Sequence, residues 1–410
     1  MKKTALLFLI ISLTIFKVFS QSVVQGKVLD FETNQPIANA SVYFNNTEIG
    51  MKTNDIGAFR LYPKQLYKDL IISAIGYEKV IINVESGVSN YTILLKQKIN
   101  NLDEVSISVD KNTWKKWGDL FSRLFLGNEI QYSGGCKILN PKDVIFYFDQ
   151  DEKSLEISLK KPLIVKNSDL NYNLTVDIDT FKYYFIQDEL LYKSTIQYEE
   201  ASNKKSRDIQ IATNHAYYGS KTHFYKSLYT GKLEEEGFTL SKYWSIKNME
   251  KERVNKIVQI RSAEKMMEGA GRGELLKLSD NPDSAVYYRQ ILQQPDNVCS
   301  GSNLVDAKSL LTYDTLRKTA LFKFNDSLIV RYKRNNILLN KFTTKRAPSG
   351  SNAFSEFNTV FFLIDKNGVE IDANGFVNNT VLNTTGDMGD RRFSRELPLS
   401  YDPNIGRKLN

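Results

Sequence analysis

The chain is poor in the residues from which most active sites are built. Its 410 residues include only two histidines and two cysteines. With so few imidazoles and thiols, there is little material for histidine-based acid–base chemistry or for a Cys/His metal site. No pair of histidines flanks a glutamate at helical spacing, and no Gly-x-Ser-x-Gly elbow or phosphate loop ending in Gly-Lys-Ser/Thr occurs. Gly269-Ala270-Gly271-Arg272-Gly273 imitates a nucleotide loop, but the preceding Lys265-Met266-Met267-Glu268 is not a buried strand. Ser158-Leu159-Lys160-Lys161 satisfies a Ser-x-x-Lys pattern only by lying in an alternating, lysine-rich strand. Nine prolines and 22 glycines are too few for a fibre or a low-complexity chain. After the first twenty residues no apolar run is long enough to span a bilayer as a helix.

What is present is an ordinary globular balance, 41% apolar and 25% charged, with 23 Phe and 22 Tyr available to fill cores. Residues 1–20 read as a secretory signal peptide. Lys2 and Lys3 precede an apolar stretch from Ala5 to Phe16, and Val18 and Ser20 place small-site cleavage before Gln21. Loss of Lys2, Lys3 and Lys17 takes the formal charge from +8 to +5. Basic and acidic residues interleave throughout, which excludes a nucleic-acid stripe as the expected partner surface. In an oxidising compartment Cys136 and Cys299 can pair, though a separation of 163 residues does not require it.

Seven short β-runs fill the interval from Val23 to Lys96, punctuated by Asn45-Asn46, Asn54-Asp55-Ile56-Gly57 and Gly76. Runs this dense predict an antiparallel β-sandwich, with Asp55 bonding its own turn. The blocks Gly26-Lys27-Val28, Thr33–Val42, Thr53–Phe59 and Ile72–Tyr77 resemble, in order and spacing, the carboxypeptidase-regulatory-like domain. That resemblance implies a transthyretin-like sandwich of gram-negative envelope proteins, one that accompanies certain carboxypeptidases without being their catalytic part. It also implies a periplasmic or outer-membrane-associated location. Leu102–Ser108 resembles the segment that follows this module in TonB-dependent receptors, and a plain connecting strand is the favoured alternative.

The expected organisation is a signal peptide at 1–20, the sandwich at 21–97, a linker at 98–112 and a larger α+β domain at 113–410. The fold class is therefore mainly β with α+β character. Within the larger domain, Thr113–Leu126 has the three- and four-residue apolar spacing of a helix, and Ser284–Gln293 is a second, with Asp280 or Asn281 as its cap. Strands are expected at Val144–Phe148, Leu155–Leu159, Leu170–Ile178, Thr180–Ile186, Leu190–Tyr198, Ala320–Asn325, Leu328–Tyr332 and Asn358–Ile364. The tail from Thr384 is expected to be irregular. Asp149 and Asp151 read as turn carboxylates and Lys204–Arg207 as a solvated loop.

Both histidines fall in Asn214–Phe224, eight residues apart. On a regular helix they would point about 80° apart, so they could not chelate one metal unless Tyr218-Gly219-Ser220 broke the helix. Tyr218-Gly219-Ser220, His223-Phe224 and Glu236-Gly237-Phe238 resemble a C-terminal pattern in exported bacterial proteins that carry the same N-terminal module. Leu124–Gly127, Cys136–Pro141 and Lys161-Pro162-Leu163 extend the resemblance, which brings no established activity with it. His215, Tyr218, Ser220 and His223 are the candidate binding residues; no catalytic residue, metal or cofactor is assigned. The leading expectation is a non-enzymatic envelope protein that binds a protein or glycan. The alternatives are a peptidase-like hydrolase near His215 and His223, and an accessory protein of TonB-linked uptake.

Overall fold

The computed structural model describes residues 23–85, 87–98, 113–127, 135–203, 206–325, 327–333, 356–377 and 382–403. The expected signal peptide, most of the expected linker and Leu102–Ser108 lie outside the described residues. Two compact units form: Met1–Asn45 with Ile49–Asn101, and Asn46–Glu48 with Leu102–Asn410.

The first unit contains β1 (Val24–Asp30), β2 (Ser41–Phe44), β3 (Gly50–Lys52), β4 (Ala58–Leu61), β5 (Asp69–Ser73), β6 (Val80–Asn83) and β7 (Asn90–Leu95). They form a three-stranded sheet in the order β4-β1-β7 and a four-stranded sheet in the order β3-β2-β5-β6. Alternate residues of β1 are buried, because successive side chains of a strand face opposite ways. Val28, Phe44, Phe59, Leu70, Ile72, Ile93 and Leu95 are all buried. One pairing departs from the antiparallel expectation: β7 runs parallel to β1, with Val28 opposite Ile93. The turn at 54–58 is tied by Asn54 rather than Asp55, since Asn54 Oδ1 accepts from the Ile56 and Ala58 amides. Asp30, only 3% exposed, accepts from the Glu32 and Thr33 amides, the Thr33 hydroxyl, the Tyr77 hydroxyl and the Gln97 side-chain amide. The Thr33 amide, followed by Gln97, holds this carboxyl well below the usual carboxylate range.

The larger unit begins with α1 (Thr113–Leu126), as its apolar spacing predicts. Its aromatic face packs on a six-stranded antiparallel sheet of β8 (Cys136–Ile138), β9 (Val144–Asp149), β10 (Ser154–Leu159), β11 (Leu163–Asn167), β12 (Tyr172–Tyr184) and β13 (Glu189–Glu200). Trp117 stacks on Phe148 at 5.3 Å, and Phe121 meets Phe181 edge-on at 5.2 Å. The two strands expected on either side of Asp179 are one strand, β12, whose pairing with β13 shifts register between Ile178 and Thr180. A bulge keeps the pairing going where the sequence reads as a break. Cys136 is buried as a free thiol, and burial pushes its pKa up to about 12; the side chain of Cys299 lies outside the described residues. The Asp149 carboxylate does close a turn, accepting from the Asp151 and Glu152 amides.

Next come α2 (Arg207–Tyr217), α3 (Lys221–Tyr229), β14 (Phe238–Lys247), α4 (Met249–Met267), α5 (Arg272–Leu275), α6 (Pro282–Leu292) and β15 (Asn297–Leu304). The chain ends in β16 (Leu311–Asp314), β17 (Thr319–Phe322), β18 (Ser327–Lys333), β19 (Glu356–Leu363), β20 (Val369–Asp372), β21 (Leu382–Gly386) and α7 (Asp387–Asp390). These strands form a five-stranded sheet, β15-β14-β18-β19-β21, and a three-stranded sheet, β16-β17-β20. Helix α6 starts as expected, with Asn281 accepting from the Asp283 and Ser284 amides and Pro282 in the first turn. The tail from Thr384 is more ordered than expected, running through β21 and α7.

Two apolar cores result. The first gathers α1 and the six-stranded sheet with Ala216 and Phe393. The second gathers Phe224, Leu228, Phe238, Phe322, Val330, Phe361, Ile371 and Met388. The chain therefore crosses between cores at least four times: between Ala216 and Phe224, on either side of Ala263, and between Met388 and Phe393.

Candidate functional site

The first crossing holds the histidine-bearing segment. Helix α2 ends at Tyr217, and the Tyr218 amide still donates to the Asn214 carbonyl. Gly219 then takes φ +76, a left-handed conformation that L side chains resist. A Cβ there would also lie 2.6 Å from Tyr332 Cδ1. The reversal lets Ser220 cap α3, with its hydroxyl accepting from the His223 amide at 3.1 Å.

The cap fixes the first turn of α3 and points His223 inward, where it is 2% exposed. Its ring is caged by Phe238, Tyr217, Tyr218 and Tyr332, with centroids at 4.9, 5.0, 5.3 and 5.8 Å. The Gly219 amide donates to Nδ1 at 3.1 Å, so Nδ1 carries no proton. Nε2 then bears the hydrogen and donates it to Glu236 Oε2, also at 3.1 Å. Burial pulls the His223 pKa below its ordinary value; Glu236 opposes this, and the Lys226 and Arg391 charges reinforce it. Glu236 is followed by Gly237, whose φ is +88 and whose Cβ would meet the Lys333 carbonyl at 2.8 Å. Phe238 then enters β14 against the imidazole.

Two cations tie the crossing to the end of the chain. Arg391 donates to the Tyr218 carbonyl at 3.2 Å and the Ala216 carbonyl at 3.5 Å, and pairs with Asp387 at 2.8 Å. It thereby satisfies carbonyls that the end of α2 leaves open. Lys226 donates to the Leu399 and Tyr401 carbonyls at 3.1 and 3.4 Å. Burial holds its pKa below the usual lysine value.

Tyr218, Ser220 and His223 are thus brought together, while His215 sits on the last turn of α2, partly buried. The sequence points to this segment but gives no sign of Tyr332, Lys226 or Arg391 as partners. Glu236 was within reach, since Glu236-Gly237-Phe238 was part of the same expected resemblance as the histidine. In this geometry the imidazole spends one nitrogen as acceptor and the other as donor, and the Ser220 hydroxyl serves as a helix cap. Among the described residues no group of three or more His, Cys, Asp or Glu could hold a metal ion.

Against known proteins, residues 24–107 match the CarboxypepD_reg-like domain family. This is a non-catalytic domain type. No curated protein matches. Among solved structures, a Bacteroides fragilis protein described as membrane-associated and of unknown function is 10% identical. The alignment covers 85% of this chain and 92% of that one, at a TM-score of 0.15. A 9R-lipoxygenase from Cyanothece is 12% identical over 52% of this chain and 49% of that one, at a TM-score of 0.16. At such TM-scores neither likeness carries an argument about this chain. No described helix is long and apolar enough to cross a membrane.

Proposed function

We propose that this is an exported cell-envelope protein with a non-catalytic binding or structural role toward a protein or glycan partner. The regulatory-like sandwich at residues 24–107 supports the exported, non-catalytic part of this reading. The observation that carries it furthest is the use of His223: both ring nitrogens are spent within the fold, on Gly219 and Glu236. A general base needs a lone pair within reach of the proton it removes, and here that lone pair is occupied by a backbone amide. Gly219, Ser220, His223, Glu236 and Gly237 are spent on the local turn and its contacts, and this supports a role carried by binding surfaces.

The test has two arms. Purified protein should turn over no peptide or glycan substrate, yet should retain an envelope protein or glycan in affinity capture. Turnover abolished by His215→Ala or His223→Ala, with the variant still folded, would establish the hydrolase instead. Cell fractionation with N-terminal sequencing should place the mature protein in the envelope, beginning at Gln21.

A further inference from the structure

His223 sits where the chain passes from the first core of the larger unit to the second, and its cage residues Phe238 and Tyr332 belong to the second. Ala216 belongs to the first core and Phe224 to the second. Only seven residues separate them, and that crossing is held at its centre by the Gly219 amide donating to Nδ1 of His223. The other nitrogen fastens α3 to Glu236, just before β14. We propose that this crossing is an acid-released joint between the two cores, with His223 as its proton sensor.

The chemistry is a conflict of donors. A proton added to the ring must go to Nδ1, because Nε2 already carries one. Nδ1–H would then face the Gly219 N–H, turning a hydrogen bond into a donor–donor contact inside an aromatic cage. The ring cannot turn over to escape this, since it would only present a second N–H to the same amide. The charged groups around it are few. Glu236 precedes β14 and attracts the protonated ring; Lys226 on α3 and Arg391 after α7 repel it. Tyr217 and Tyr218 at the end of α2, with Tyr332 on β18, add neutral faces. In the closed joint the tail crossing braces this turn through Arg391 donating to the Ala216 and Tyr218 carbonyls, so opening breaks those two bonds as well. Opening exposes the cage of Tyr217, Tyr218, Phe238 and Tyr332.

The sign follows from linkage. The folded-state pKa of His223 lies below its ordinary value of 6.5. The open joint therefore binds the proton first, and the closed joint is fully favoured above about pH 6.5. It loses ground as pH falls toward the folded-state pKa, by about tenfold in the opening equilibrium per pH unit.

Hydrogen exchange of the full chain between pH 7.5 and 5, corrected for intrinsic rates, tests this. Peptides covering residues 217–224 and 236–238 should lose protection by about tenfold per unit below pH 6.5, while β12 and β17 keep theirs. His223→Asn, whose Oδ1 can still accept from Gly219 but does not titrate, should abolish the acid step. Glu236→Gln should carry the acid loss to lower pH, because the attraction that favours the protonated closed joint is gone. Protection of the two segments that stays constant with pH, or that falls in step with β12 and β17, would overturn the proposal. So would an acid step that survives in folded His223→Asn.

Discussion

A Cβ at position 219 would stand 2.6 Å from the Tyr332 ring on a backbone already at φ +76, so the residue is confined to glycine twice over. Gly219→Ala should cost about 1–3 kcal/mol, read as a lower midpoint in chemical denaturation. Ser220→Ala removes only a cap and should cost about 1 kcal/mol. It should leave the acid step of the joint in place, because the imidazole nitrogens bond Gly219 and Glu236. Cys136 gives a different kind of test. Its thiol is buried, with a pKa pushed up to about 12, and the thiolate is the reactive form. In a Cys299→Ser background, thiol reagents should label Cys136 only as fast as the protein unfolds.

At the scale of elements, α1 was legible because its aromatic residues recur at three and four positions and all face one sheet. Phe121 contacts Phe125, Phe146 and Phe181 from the centre of that face. Phe121→Ala should therefore cost about 3–5 kcal/mol through the cavity it leaves, measured by thermal or denaturant unfolding. Helix α4 was not legible. Its 19 residues carry charges on every side, and among the described side chains only Val254 and Ala263 are fully buried on it. Contacts distant in sequence hold it instead. Arg261 donates to the Glu274 and Lys277 carbonyls and to Asp280. Arg261→Met should loosen α4 by roughly 1–3 kcal/mol and raise hydrogen exchange there, with the six-stranded sheet unaffected. Helix α6 shows the opposite balance, because Asn281 and Pro282 announce its start without help from packing.

For the whole molecule, the decisive feature of the larger unit is that one chain threads two cores. Phe393 sits 4.3 Å from Phe125 in the first, and Met388, five residues earlier, is buried in the second. Phe393→Ala should cost about 3–5 kcal/mol and should separate the unfolding of the two cores into distinguishable steps in calorimetry. Read locally, the Gly-, Asp- and Arg-rich tail looked irregular, because nothing in its composition reveals that Met388 and Phe393 have separate pockets awaiting them.

The sequence by itself determined the β-sandwich, the ends of the capped and amphipathic elements, and the segment where both histidines lie. These depend on neighbours within a few residues: strand alternation, helical period, caps and turn residues. Only the tertiary structure decided that β7 pairs parallel to β1, that β12 is continuous through Asp179, and that Cys136 is a free thiol. It alone decided the role of His223, because the groups that fix its protonation and burial, Glu236, Tyr332 and Arg391, lie 13, 109 and 168 positions away along the chain. Local pattern reports which residues can cap, turn or alternate. Which donor faces which acceptor is set by packing, and packing is where a histidine in a candidate binding segment became a joint between two cores.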